Sequence, residues 1–244
     1  MVDRRVAGLP LEQVLGWAEF CGLRIAVAPG VFVPRRRTEF LVRQALLLLA
    51  RGGDPPGPPD LGGTGRPPKP PWAPPVVVDL CCGAGAVGAA LAASVDGAEV
   101  HAVDIDAAAV ACARRNLEGL GGSRVQVYEG DLFDPLPPAL RGRVALVVAN
   151  VPYVPTGEIR LLPAEARAHE PRVALDGGPD GLGVLRRVAA GAPAWLVPGG
   201  HLLIETSERQ APSAVAAFVA SGLRARAESS ADLDAMVVIG TTQR

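Results

Sequence analysis

Short apolar runs alternate with segments of helical spacing from residue 76 to the C-terminus. The runs predict strands over residues 76–80, 99–104, 124–129, 144–149 and 201–206, and the spacing predicts helices over residues 86–94, 107–118, 181–190 and 211–221. Strands that alternate with helices and are apolar on both faces are typical of a parallel sheet with helices on each side. Residues 223–227 and 235–239 predict two last strands, antiparallel because only a short polar link separates them. The pattern therefore predicts an α/β, doubly wound fold with a mostly parallel seven-stranded sheet and an antiparallel C-terminal strand pair.

The first 75 residues follow a different pattern. Helices are predicted over residues 9–21 and 38–50, and residues 23–33 are predicted to be extended with a turn at Pro29. Residues 52–75 hold ten of the 24 prolines and six of the 29 glycines. Such a segment has too few apolar side chains to offset the entropy lost on ordering, so it is predicted to be a flexible insert. A polyproline ligand for an aromatic groove is the alternative. The predicted organisation is an N-terminal segment (1–51), the insert (52–75) and a ligand-binding domain (76–244).

Composition excludes several classes of protein. A chain of 244 residues with 49% hydrophobic residues can bury a core, which excludes global disorder. The net charge of −1 argues against a protein that binds a phosphate backbone. No apolar stretch is long enough to span a membrane, and the N-terminus lacks the apolar run of a signal peptide. The four cysteines, Cys21, Cys81, Cys82 and Cys112, have no zinc-type spacing, so a reduced cytoplasmic protein without a metal site is expected.

A glycine-rich turn follows the predicted strand 76–80. In a doubly wound fold this turn lies at the carboxyl ends of the strands, where ligands bind. Gly83 and Gly85 are expected to let the backbone approach a ligand closely, with helix N–H groups directed at it. The spacing from Gly83 to Gly88 also matches the dinucleotide-binding pattern, so an enzyme that uses a nicotinamide cofactor is an alternative.

Acidic residues stand at the ends of neighbouring predicted strands and favour a different cofactor. Asp104 can accept two hydrogen bonds from a ribose diol, and Asp131 can accept from an adenine amino group. Asp79 would repel a pyrophosphate but attract the ammonium group of a methionine moiety. This arrangement predicts S-adenosylmethionine rather than NAD. A turn with surface acids and no ligand is the remaining alternative.

The motif Asn-Val-Pro-Tyr, at residues 150–153, directly follows the predicted strand 144–149. Asn150 offers a carbonyl and an NH₂ group, Pro152 stiffens the backbone next to an acceptor carbonyl, and Tyr153 can cover a planar group. Such a site suits a planar substrate that carries an NH₂ group, either a carboxamide or the amino edge of a base. The alternative is a strand-end turn in which Asn150 is a cap and Tyr153 belongs to the core.

Seven segments together carry a family resemblance. They are Val-Phe-Val-Pro-Arg-Arg-Arg-Thr-Glu (31–39), Asp-Leu-Cys-Cys-Gly-Ala-Gly (79–85), Val-Asp-Ile-Asp (103–106), Gly-Asp-Leu-Phe (130–133), Asn-Val-Pro-Tyr (150–153), Glu-Pro-Arg-Val-Ala-Leu-Asp-Gly-Gly (170–178) and Gly-Leu (181–182). The chain resembles the protein-(glutamine-N5) methyltransferases, whose best-known members modify release factors and a ribosomal protein. Adenine-N6 and rRNA guanine methyltransferases share the Asn-x-Pro-Tyr motif, but the first and sixth segments are more specific to the glutamine group.

The resemblance implies a fold, a reaction and a set of site residues. The sheet would be of the S-adenosylmethionine-dependent methyltransferase type, and the reaction would methylate a glutamine side-chain amide in a release factor or ribosomal protein. The residues expected to bind S-adenosylmethionine are Asp79, Cys81, Cys82, Gly83, Ala84, Gly85, Asp104, Ile105, Asp131, Leu132 and Asn150. The residues expected to hold the glutamine amide are Asn150, Val151, Pro152 and Tyr153.

The chain departs from the family pattern at several positions. Cys81 replaces the first glycine of the turn, and its Cβ is expected to require a negative φ. Val151 replaces a proline, with no change expected in the accepting carbonyl. The family's Pro-Arg-Pro-Glu-Thr-Glu is Pro-Arg-Arg-Arg-Thr-Glu at residues 34–39, and only about 30 residues precede it, where the family has a helical substrate domain.

Alternatives to the predicted reaction remain open. The basic cluster at residues 35–37 keeps a nucleic-acid adenine-N6 or guanine-N2 methyltransferase as the runner-up, although the neutral net charge disfavours it. A cofactor-binding pseudoenzyme is the third hypothesis. Glu39 and Glu170 are the further acids of interest. The three histidines, His101, His169 and His201, fit no catalytic or metal spacing and are predicted to be structural.

Overall fold

The computed structural model describes residues 1–51, 74–120 and 122–243. The helices are α1 (Val2–Val6), α2 (Leu11–Leu15), α3 (Glu39–Arg51), α4 (Ala86–Ser94), α5 (Ala107–Leu117), α6 (Ala164–His169), α7 (Gly183–Gly191) and α8 (Ala211–Ala220). The strands are β1 (Trp17–Phe20), β2 (Leu23–Ala26), β3 (Val76–Leu80), β4 (Glu99–Asp104), β5 (Val125–Glu129), β6 (Val144–Ala149), β7 (Leu196–Thr206), β8 (Arg224–Ser230) and β9 (Ala235–Thr241). Among the described residues, no helix has the length and apolar character needed to cross a bilayer.

Seven of the described strands form one sheet, in the order β5-β4-β3-β6-β7-β9-β8. The first five run parallel, whereas β9 is antiparallel to both β7 and β8. This confirms the predicted α/β sheet and its antiparallel C-terminal pair. The chain builds outward from β3 to β5 and then returns to β6 on the other side of β3. A ligand cleft forms at such a reversal, outside the carboxyl ends of the strands.

Side chains of the central strands are buried on both faces of the sheet. Val77 of β3 packs with Leu41 of α3 and Leu91 of α4 in one hydrophobic cluster. Its neighbour Val78 packs with Leu185 of α7 in a second cluster on the opposite face. Because consecutive strand residues point to opposite faces, a strand covered on both sides is apolar on both. β6 is apolar throughout, and β3 is apolar except for the buried Asp79.

The N-terminal part differs from the prediction. The expected helix over residues 9–21 ends at Leu15, where Gly16 adopts a left-handed conformation (φ 83°), and β1 follows. Ala18 and Phe20 of β1 are buried alternately, a period of two that the helical interpretation overlooked. The short helices α1 and α6 were not predicted. The insert predicted over residues 52–75 lies outside the described residues, except for Pro74 and Pro75.

Candidate active site

A cavity of about 1080 Å³ opens at the carboxyl ends of β3, β4 and β6. The structure brings together in its wall every predicted site residue except one: Asp79, Cys81, Cys82, Gly83, Ala84, Asp104, Ile105, Asp131, Leu132, Asn150, Val151, Pro152 and Tyr153. Gly85 is the exception: it lies outside the cavity wall, and its predicted contact with a ligand stays a prediction. Its φ is +77°, and a Cβ there would lie 3.0 Å from that of Ala113. The glycine therefore allows α4 and α5 to pack closely.

The turn after β3 is strained at Cys81. Its φ is +55°, so the expectation of a negative φ is wrong. A non-glycine residue in this conformation costs roughly 1–2 kcal/mol, and the neighbouring bonds sustain it: Cys82 donates to the Val103 carbonyl at 3.0 Å, and Gly85 donates to the Cys82 carbonyl at 2.8 Å. Leu132, in the wall of the same cavity, has φ +51°. Strain of this kind concentrates at functional sites.

Asp79 is a buried carboxylate beneath the start of α4. Its Oδ2 accepts from the backbone N–H of Gly88 at 2.8 Å. A Cβ at Gly88 would lie 3.1 Å from the same oxygen, which explains the glycine at this position. Burial raises the pKa of Asp79 to about 7, the Gly88 N–H opposes the shift, and the nearby charge of Asp104 adds to it. A cation bound beside this group would favour its ionised form.

Asp104 and Asp131 are held by different partners. Asp104 accepts from the Gly83 N–H at 2.8 Å through Oδ2 and from the Asp106 N–H at 2.9 Å through Oδ1. Burial raises its pKa, and these N–H groups oppose the shift. Each oxygen has a second lone pair with which to accept from a hydroxyl. Asp131 is more exposed and accepts from Arg187 of α7 at 2.7 Å, a partner that the sequence analysis did not identify.

The Asn-Val-Pro-Tyr loop is fixed by the segment 175–181, so two of the sequence motifs meet. Val154 donates to the Leu175 carbonyl at 3.0 Å, and Gly177 donates to the Val154 carbonyl at 2.9 Å. The Gln210 side chain donates to the Tyr153 carbonyl at 3.0 Å. A Cβ at Gly177 would lie 2.7 Å from the Pro152 carbonyl oxygen. Glycine at this position therefore permits contact between the two backbones.

Substitution of Gly177 with alanine is expected to displace the Asn-Val-Pro-Tyr loop. The added Cβ would collide with backbone on both sides, at 2.6 Å from the Gly181 oxygen and 2.7 Å from that of Pro152. We expect turnover in the reaction predicted from the sequence to fall at least tenfold, and the affinity for S-adenosylhomocysteine, the demethylated form of the predicted cofactor, to change little. A turnover assay and calorimetry measure the two effects. Gly157→Ala is the matched control, because a Cβ there has no described atom within 4 Å. Normal turnover by the Gly177 variant would contradict this account of the loop.

A chain of polar contacts joins Asn150 to Tyr153 through three residues that the sequence analysis did not place in the site. Asn150 Nδ2 donates to the Thr38 hydroxyl at 3.3 Å. Burial raises the pKa of the Glu205 carboxyl, and the Thr38 side chain opposes that rise. Glu205 Oε1 accepts from Arg37 Nε at 3.0 Å. Arg37 also donates to the Tyr153 hydroxyl. Segment 36–38 and the end of β7 thus hold both ends of the motif.

This network fixes the orientation of the Asn150 amide. The Thr38 hydroxyl accepts from the NH₂ group of Asn150 at 3.3 Å. The NH₂ group of Asn150 is therefore engaged, and Oδ1 is the atom available to a ligand. The sequence analysis expected both groups to be offered. Burial raises the pKa of the Tyr153 phenol, with Arg37 opposing the shift, which keeps the hydroxyl neutral as an acceptor.

The other candidate residues separate into two groups. Glu170 lines the cavity, is buried, and accepts from Arg35 at 2.5 Å and from the Val33 N–H at 3.4 Å. Glu39 instead accepts from the Cys21 N–H at 3.1 Å and lies outside the cavity wall. His101 lies between Glu99 and Tyr128, at 2.9 and 3.0 Å. Among the described residues, the cavity wall contains no histidine.

The chain is similar to several known proteins. The family model described as Methyltransferase small domain matches residues 72–169. A release factor glutamine methyltransferase of Geobacter sulfurreducens is 38% identical over 91% of this chain and 69% of its own length. A 4-amino-L-phenylalanine/4-methylamino-L-phenylalanine methyltransferase of Streptomyces pristinaespiralis is 38% identical over 93% of this chain and 71% of its own. A Pyrococcus furiosus methyltransferase structure shares the fold, with a TM-score of 0.61 at 15% identity over 99% of this chain and 100% of that one.

Proposed function

The chain belongs to the release factor glutamine methyltransferase family, and we propose that it methylates the side-chain amide nitrogen of a glutamine in a translation release factor, with S-adenosylmethionine as methyl donor. One observation carries the proposal. The strand-end acids and the Asn150 amide line a single cavity, in which Thr38 leaves Asn150 Oδ1 as the free acceptor.

The wall formed by β3, β4 and the turn between β3 and α4 fits S-adenosylmethionine. Asp79 would pair with the ammonium group, Asp104 would accept from the ribose hydroxyls, and Asp131 would accept from the adenine amino group. A Cβ at Gly83 would have no described atom within 4 Å, so this side of the turn is open to a ligand. S-adenosylmethionine, when bound, supplies an electrophilic methyl group on a sulfonium.

The Asn-Val-Pro-Tyr loop would bind and orient the acceptor. An amide nitrogen is a poor nucleophile because its lone pair is delocalised, so positioning and exclusion of water must supply much of the rate. Asn150 Oδ1 and the Val151 carbonyl would accept from the two N–H groups of the glutamine amide. Tyr153, held by Arg37, would cover the amide plane.

A second function is favoured by the relative from Streptomyces pristinaespiralis, whose name gives a free aromatic amino acid as its substrate. The amino group of a small aromatic amine is also planar and carries two N–H donors, so the same two acceptors suit it. By contrast, the arginines in the cavity wall, Arg35, Arg37, Arg172 and Arg187, are each paired with a carboxylate. That pairing offers no broad cationic surface to a nucleic acid.

Calorimetry followed by a methyl-transfer assay tests the proposal. S-adenosylhomocysteine is expected to bind and NADH is not. Labelled S-adenosylmethionine is then offered with a glutamine peptide from a release factor, 4-amino-L-phenylalanine or an adenine-containing oligonucleotide. Transfer to the peptide alone is the expected result. Transfer only to 4-amino-L-phenylalanine would indicate an aromatic-amine methyltransferase, and transfer only to the oligonucleotide would indicate a nucleic-acid methyltransferase. Binding of NADH alone would overturn the cofactor assignment.

We also propose that the protein works in the reducing cytoplasm. All four cysteines are free thiols in the structure. Burial raises the pKa of the Cys81 and Cys82 thiols well above the usual range, so both are neutral groups of the cavity wall rather than nucleophiles.

A further inference from the structure

We propose that Arg37 is a specificity-determining residue that binds a carboxylate of the methyl acceptor, near the nitrogen held by Asn150. In a protein substrate this carboxylate would belong to an acidic residue close to the glutamine, and in a small acceptor to the molecule itself. The inference rests on the proposed function, because it concerns the acceptor end of the same cavity. It adds a charge requirement that neither the family nor the comparisons assign.

The guanidinium of Arg37 is anchored on one edge. Nε donates to Glu205 at 3.0 Å, one terminal nitrogen donates to the Tyr153 hydroxyl, and the guanidinium carbon lies 5.8 Å from the centre of the Tyr153 ring. A guanidinium carries five N–H donors. Among the described residues, the remaining donors of Arg37 have no acceptor, and its side chain is 41% exposed. Arg37 lines both the large cavity and a smaller one of about 350 Å³.

The anchor turns a flexible side chain into an oriented one. Glu205 is 2% exposed, so the carboxylate that holds Arg37 is itself fixed in the protein interior. Less conformational entropy is then lost when the outer edge of Arg37 binds a ligand. The fork of an arginine matches the two oxygens of a carboxylate, which favours this ligand over a neutral group.

A second arginine of the same segment is anchored in the same way. Arg35 donates to the buried Glu170 at 2.5 Å and lines the cavity. Arg36, between them, is exposed and lies outside the cavity wall. At position 37 the usual family sequence has glutamate. This chain has arginine there, and its guanidinium contacts Tyr153. A single carboxylate suits one oriented guanidinium.

Two pairs of probes, matched except for charge, test the proposal without requiring turnover. Each is titrated by calorimetry into the protein loaded with S-adenosylhomocysteine: N-acetylglutamine against N-acetylglutaminamide, and 4-aminobenzoate against 4-aminobenzamide. We expect the carboxylate member of a pair to bind roughly tenfold more tightly in the wild type, since its hydrogen bonds with arginine are charge-assisted. Arg37→Gln should abolish this preference, and Arg36→Gln should leave it unchanged.

Two further variants guard against misfolding, because Arg37→Gln leaves Glu205 buried without its charged partner. The double variant Arg37→Gln/Glu205→Gln removes both charges and should also lose the preference. Arg37→Lys should keep part of it. The proposal is overturned if no carboxylate is preferred, if the double variant keeps the preference, or if neither pair binds. If only 4-aminobenzoate and 4-aminobenzamide bind, the proposal that the acceptor is a glutamine would be wrong. The difference in affinity between these two probes would still test whether Arg37 binds a carboxylate.

Discussion

Replacement of Asn150 with alanine is expected to lower kcat roughly a hundred- to a thousandfold while leaving the fold and S-adenosylhomocysteine affinity nearly unchanged. Thr38 holds the Asn150 NH₂ group at 3.3 Å, so Oδ1 is positioned before any acceptor binds. One preorganised hydrogen bond in a site without water is worth about 2.7–4 kcal/mol in the transition state, which sets the expected loss. Steady-state kinetics on the acceptor peptide and a melting curve measure the two effects separately.

A structural role for Asn150 makes the opposite prediction. If the side chain only caps the end of β6, the alanine variant should lose about 0.5–2 kcal/mol of stability and keep a normal kcat. Asn150→Asp distinguishes the roles further. It keeps two acceptor oxygens but loses the NH₂ group that Thr38 accepts, and it adds a charge near the buried Glu205. We expect this variant to be nearly as slow as the alanine variant.

Val151→Pro is the matched control for the same loop. The Val151 N–H donates to none of the described residues, and a proline there keeps the carbonyl proposed to accept from the amide. Its kcat should therefore stay within about threefold of the wild type. Full activity of the Asn150→Ala variant on any acceptor would disprove the orienting role.

Strand positions in the sheet could be predicted because they depend on local patterns. The strands 76–80, 99–104 and 144–149 coincide with β3, β4 and β6. β3 and β6 are short runs rich in valine, which favour buried strands, and apolar residues alternate with polar ones in the first part of β4. The hairpin of β1 and β2 was missed because a four-residue strand gives too short a window to separate a period of two from one of 3.6.

The network around Asn150 could not be predicted from the sequence. Arg37 and Glu205 stand 168 residues apart, and only the closure of the sheet brings the start of α3 against the end of β7. One local signal was available. Glu205 is an acid near the end of a strand, as Asp79, Asp104 and Asp131 are. The conformation of Cys81 was mispredicted because a steric rule for one residue ignores the bonds that hold its neighbours.

Asp79 links the stability of the protein to pH. Its pKa is near 3.8 when exposed and about 7 in the fold, because burial penalises the charged form. The fold therefore retains a proton that the unfolded chain releases. This contribution to stability is fully present below about pH 4 and is lost as the pH rises through 7. A shift of this size corresponds to about 4 kcal/mol across that range. An ammonium group in the cavity would recover much of the loss.

Asp79→Asn is therefore expected to stabilise the unliganded protein at pH 8 by about 2–4 kcal/mol while weakening S-adenosylhomocysteine binding at least tenfold. The asparagine oxygen can still accept from the Gly88 N–H, now 2.8 Å from the Asp79 carboxylate, so the start of α4 should be preserved. In the wild type, affinity should rise with pH up to about 7 and then level, since the ammonium group favours the ionised carboxylate. Burial also raises the pKa of Asp104, Glu170 and Glu205, so the measurement is the difference between variant and wild type at each pH, by denaturant unfolding and by calorimetry. An asparagine variant that binds the ligand as tightly as the wild type at pH 8 would show that Asp79 is only the cap of α4, and the ammonium group would have to be assigned to another acid in the cavity.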